Sequence, residues 1–113
     1  MLFRSDDPRG PWCLEVVAGM CAPNEAPEQL VVREIKEEAN LVPKRLHPIT
    51  AYYSTPGACD EQIHLYCAEC DLSAAGGIFG LEDENEDILL HVFAADEVLA
   101  SMYDGREIGR AHV

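Results

Sequence analysis

The stretch GMCAPNEAPEQLVVREIKEEANL, residues Gly19 to Leu41, decides how this chain is read. Three glutamates, Glu34, Glu37 and Glu38, crowd into one helical turn of a chain whose formal charge is already −13, although like charges one turn apart destabilise a helix. Pro27 suits the first turn of a helix, and Glu28 lies near the positive end of its dipole. Asn40 accepts a left-handed cap and Pro43 follows, so the pattern predicts a helix that starts at Pro27 and stops at Asn40. At about 100° per residue, Glu34, Glu38 and Glu37 fall at about 0°, 40° and −60°, beside an apolar arc of Val31, Ile35, Ala39 and Val32. One face packs, and its neighbour is a wall of carboxylates. A solvated acidic face, with Arg33 and Glu37 paired one turn apart, is one reading. A site for a hard cation such as Mg²⁺, which prefers oxygen ligands, is the other.

Upstream, WCLEVVA (Trp12 to Ala18) is apolar and β-branched and reads as a strand ended by Gly19, with Trp12 a packing residue. MCAPNEAP, with Pro23, Asn24 and Pro27, reads as a loop. Downstream, strands are expected at about Leu46 to Ser54, Gln62 to Asp71 and Asp87 to Ala94, with a last helix from Ala95 to Tyr103. Between Leu72 and Glu86 lie three glycines and four acids, a loop of the length that is usually functional or disordered.

The 113 residues, 48% apolar and 26% charged, fit one small globular domain or a piece of one. No run approaches the roughly 20 apolar residues that span a bilayer, and no secretory leader opens the chain. The acidic balance disfavours nucleic acid and anionic membranes as partners. Cys13, Cys21, Cys59, Cys67 and Cys70 are odd in number and irregularly spaced, which fits free thiols in a reducing cytoplasm. Cys67 and Cys70 have zinc-like spacing, but in a strand they face opposite ways, and His47, His64 and His91 stand singly. Leu2-Phe3-Arg4-Ser5 can be written CTCTTCCGATCT, whose reverse complement reads in frame through Glu107-Ile108-Gly109-Arg110. That string resembles a sequencing adapter, so residues 1–5 and 107–113 are expected to be non-native, leaving a domain over 6–106.

Gly19, five residues, Glu25, seven residues, then Arg33-Glu34-Ile35-Lys36-Glu37-Glu38-Ala39-Asn40-Leu41 resembles the Nudix box, G-x5-E-x7-R-E-U-x-E-E-x-G-U with U apolar. Six of the seven glycine and charged markers match, and Asn40 replaces the last glycine, a mild change because Asn tolerates a left-handed backbone. The resemblance implies an α/β fold, the Nudix-type α/β/α sandwich with a mixed β-sheet, here incomplete at both termini. It implies hydrolysis of a nucleoside diphosphate linked to another group, with Mg²⁺, or Mn²⁺, as cofactor. Metal ligation then falls to Glu34, Glu38 and the Ala18 carbonyl, while Glu37 lies close to the same ions and Arg33 orients the carboxylates.

EVVAGM before the box, STPGACDE (Ser54 to Glu61) after it and GIFGLEDENEDI (Gly77 to Ile88) resemble the ADP-ribose-cleaving subfamily of bacterial pyrophosphatases. This implies substrate contacts at Met20, Ser54, Pro56, Gly57 and Glu61, a catalytic base at Glu84 and a further metal ligand at Glu86. The reaction implied is ADP-ribose plus water giving AMP and ribose 5-phosphate. Hydrolysis of another nucleoside diphosphate sugar, or a Nudix-like module that binds ADP-ribose without cutting it, are the alternatives. Similar enzymes are homodimers with a longer N-terminal region and a C-terminal helix over the sheet, which implies a homodimer for the full-length protein.

Overall fold

The computed structural model describes residues 2–4, 12–79 and 88–104. In chain order the elements are β1 (Leu2–Arg4), β2 (Trp12–Leu14), α1 (Pro27–Ala39), β3 (Pro43–Tyr53), β4 (Gln62–Cys70), β5 (Gly77–Phe79), β6 (Ile88–Leu90) and α2 (Ala95–Asp104). Helices and strands are mixed, as the α/β expectation requires. Two sheets are present among the described residues, one of four strands ordered β2-β1-β6-β5 and one formed by β3 and β4. β1 falls within the 1–5 segment that the sequence reading leaves outside the domain, and it pairs antiparallel with both β2 and β6.

The ends of α1 follow its sequence. Pro27 occupies the first turn, where its missing N–H costs nothing. The Gln29 side chain reaches back to accept the Ala26 N–H at 2.9 Å. At the other end Asn40 is left-handed, φ 51° and ψ 33°. That turn lets the amides of Asn40 and Leu41 reach the carbonyls of Lys36 and Ile35, at 3.0 and 3.3 Å. Lys36 Nζ also donates to Asn40 Oδ1, a contact that glycine could not offer.

α1 packs against β3, β5 and β6, so it sits where both sheets can reach it. The apolar core is small: Ile35 and Ala39 of α1 and Ile88 of β6 are the buried hydrophobic residues among those described. Tyr66 on β4 donates to Glu28 Oε1 in the first turn of α1 at 2.8 Å, tying helix to ribbon. The Glu28 carboxyl is held below the ordinary range by its own backbone amide and then by Tyr66, whose phenol is raised in turn by Glu28.

Four expectations need correction. The first strand stops at Leu14 rather than Ala18, because the chain over 15–20 leaves the sheet and turns its amides elsewhere; the Ala18 N–H goes to Glu38. Part of the long loop is a strand: Ile78 in β5 pairs with Leu89 in β6, next to Gly76 and Gly77 at φ 139° and 120°. The strand expected to end at Ala94 closes at Leu90, which places His91 after it, stacked on Phe93 at 5.7 Å. β3 begins at Pro43, earlier than Leu46, and is irregular at Pro43/Arg45 and Pro48/Thr50. Proline cannot donate to a ladder, so both irregularities sit beside one.

Candidate active site

The site is built on α1 and the irregular chain that precedes it. Gly19 lies against Glu34 so closely that a Cβ there would stand 1.9 Å from Glu34 Oε1. Its role is steric, since any side chain would occupy the space that the carboxylate fills. One residue earlier, the Ala18 N–H donates to Glu38 Oε2 at 3.3 Å. The loop thus wraps both acids of the i, i+4 pair.

Burial separates the two readings of the acidic face. Glu34 and Glu38 retain 8% and 3% of their surface, as deeply set as the apolar Ile35 and Ala39. A solvated acidic face does not look like this. Carboxylates are almost never so buried unless paired or bound to metal, and the arrangement here supplies a gathering cation.

That cation is Arg33. Its Nε donates to Glu25 Oε1 at 2.8 Å and its Nη2 to Glu25 Oε2 at 3.1 Å, a bidentate fork. Nη1 donates to Glu34 Oε1 at 2.8 Å and to Glu37 Oε2 at 3.0 Å. Nη2 also reaches the Met20 carbonyl at 3.2 Å. One planar guanidinium therefore touches three acids and the loop, which the point charge of a lysine could not do. Donation from Arg33, helped by the Ala22 amide, holds the Glu25 carboxyl at about 2 against an ordinary 4.5. Glu25 in turn pushes the Arg33 guanidinium well above its usual value, so it stays charged.

The donor set fits a hard divalent cation. All the candidate ligands are oxygens, two of them on buried carboxylates one turn apart, and a carboxylate that accepts from Arg33 keeps further lone-pair sites. Among the described residues no three acidic, His or Cys side chains already converge as a closed cage. Glu84 and Glu86 lie outside the described residues.

A second group of expected residues stands on the loop between β3 and β4. Ser54 Oγ donates to Glu61 Oε2, and the Ser54 amide meets the Glu61 carbonyl at 3.3 Å, closing the neck of that loop. Within it the Thr55 carbonyl accepts from the amides of Ala58 and Cys59, at 2.8 and 3.0 Å, which leaves Pro56 and Gly57 exposed at the tip. Met20 is 88% exposed at the edge of the first group. Cys21, Cys59, Cys67 and Cys70 are free thiols.

A model of the Nudix domain matches residues 1–110 of this chain. The chain belongs to the Nudix family. Its Nudix helix is α1, and the fold is the α/β architecture of that family. Over 104 residues it is 38% identical to an ADP-ribose pyrophosphatase of Haemophilus influenzae, a match that covers 92% of this chain and 48% of that protein. Over 101 residues it is 39% identical to the ADP-ribose pyrophosphatase of Escherichia coli K12, covering 89% and 48%. A GDP-mannose pyrophosphatase of Pectobacterium atrosepticum is 33% identical over 96 residues, covering 82% and 47%. The chain spans about half the length of these relatives.

Sequence reasoning did not find two contacts that shape this Nudix site. Tyr66 and Glu28 are 38 residues apart, and no local pattern marks such a pair. The turn at Pro23 and Asn24 left a signal, since Pro followed by Asn is turn chemistry, but its bearing on Glu25 shows only in three dimensions.

Proposed function

We propose that the protein containing this chain hydrolyses ADP-ribose, with water, to AMP and ribose 5-phosphate, using Mg²⁺, with Mn²⁺ able to replace it. The observation that carries this reading is the burial of Glu34 and Glu38 beside Arg33. The similarity to two ADP-ribose pyrophosphatases supports the choice of substrate. Glu34, Glu38, the Ala18 carbonyl and Glu86 would hold the cation. When bound, it supplies neutralisation of the pyrophosphate charge and makes water more acidic.

The remaining work falls to the chain itself. Arg33 orients the carboxylates and keeps Glu37 beside them. Glu84 accepts the proton that water gives up as its oxygen bonds to phosphorus and the bridging oxygen departs. Met20, Ser54, Pro56, Gly57 and Glu61 bind the substrate, with the Ser54 hydroxyl fixing the Glu61 carboxylate. No helix among the described residues is long and apolar enough to cross a membrane. We place the protein in the cytoplasm as a homodimer acting on a small nucleoside diphosphate sugar, with neither nucleic acid nor membrane as partner.

The test is a substrate panel assayed with and without a chelator. AMP release from ADP-ribose, faster than cleavage of GDP-mannose and abolished by chelation, is the expected result. The reverse preference would favour a second reading, another nucleoside diphosphate sugar, which the GDP-mannose pyrophosphatase relative supports. Tight binding of ADP-ribose with no product would make the protein a binding module.

A further inference from the structure

Asn24 is exposed, and its backbone is left-handed at φ 66°. It follows Pro23 in a turn closed by the Glu25 amide, which donates to the Ala22 carbonyl at 3.0 Å. Proline second and a positive φ third is the type II pattern, whose third place favours glycine or asparagine. The turn folds Glu25 back on its own start, so that the Ala22 N–H donates to Glu25 Oε2 at 2.9 Å. The same carboxylate takes the fork of Arg33. Glu25 is therefore clamped between turn and helix, and only then does Arg33 extend Nη1 to Glu34 and Glu37. The Met20 carbonyl receives Nη2 from the near side. Residues 20–25 form a collar around one guanidinium.

We propose that Asn24 is a positioning residue for the acidic site: its left-handed turn fixes Glu25, Glu25 fixes the fork of Arg33, and the fork sets the carboxylates that meet a cation. This rests on the metal-dependent reading above. The effect of Asn24 travels through two contacts of 2.8 Å, Arg33 to Glu25 and Arg33 to Glu34. A β-branched residue is strongly disfavoured at positive φ, whereas glycine is at ease there. Valine should thus open the turn and carry Glu25 away from Arg33, while glycine should preserve both.

The test measures Mn²⁺ binding by electron paramagnetic resonance, without substrate, in the protein that contains this chain. Asn24→Gly should bind as the parent does. Asn24→Val should weaken binding by about 10-fold, the lower end of what changes behind a metal's direct ligands produce. Adding Asn24→Val to Glu25→Gln should cost no more than Glu25→Gln alone, because both break one relay. Should Asn24→Val fail to fold by circular dichroism, Asn24→Ala carries the same comparison with a milder backbone penalty. Parent-like binding by the folded variant, or additive losses in the double variant, would overturn the proposal. Absence of Mn²⁺ binding in the parent would overturn it together with the metal-dependent reading. Binding with the expected variant pattern but no cleavage of ADP-ribose would support the relay and remove only the reaction.

Discussion

Gly19 leaves Glu34 almost no room to move. Its backbone is not left-handed, so the demand for glycine is one of space: a methyl group would stand 1.9 Å from Glu34 Oε1 and 2.2 Å from its Cδ. The Glu34 carboxylate is buried and bonded to Arg33, so it can yield only by giving up that contact. Gly19→Ala should destabilise the protein by about 1–3 kcal/mol, as overpacking does. Turnover should fall further than stability alone explains. Urea unfolding and initial rates on one preparation check both, and unchanged rates would show that Glu34 relaxes freely.

At the scale of the element, α1 and the loop before it act as one unit joined by Glu25 and Arg33. The Glu25 carboxyl is held at about 2, below its ordinary 4.5. A lowered folded value means that the contribution is complete above about pH 5 and is lost as pH falls toward 2. Acid unfolding of the parent and of Glu25→Gln should therefore separate above about pH 5 and converge near pH 2. Curves that stay parallel throughout would show that the ion pair is screened away. The helix was legible in the sequence because its signals are local: Pro27 and Asn40 bound it, and the charge spacing falls on a fixed angular pattern. β5 was not. Three residues carry no periodicity, and Ile78 becomes a strand residue only because Leu89 lies across from it. The burial of Glu34 and Glu38 was equally beyond local reading, since the acidic arc is covered by the chain around Ala18 and Gly19 rather than by α1 itself.

Among the described residues, the buried core is small for the apolar surface around it. Ile35, Ala39 and Ile88 are buried, while Val42, Ile49, Leu72, Ile78 and Leu99 are among the large apolar side chains left exposed. Such patches favour association. The 113-residue chain on its own should bind a hydrophobic dye and sediment as more than a monomer, and a sharp thermal transition from a monomer would contradict this. In the proposed function, the buried carboxylates of α1 hold the cation on which cleavage depends. The most direct measurement is a Mg²⁺ titration of AMP release from ADP-ribose by the protein containing this chain, parent against Glu38→Gln. The rate should be at least about 10²-fold lower in the variant at low Mg²⁺, the upper end of what changes behind a metal's direct ligands produce, with thermal stability in chelator equal or slightly higher because a buried charge is gone. Parent-like turnover by Glu38→Gln at low Mg²⁺ would contradict it.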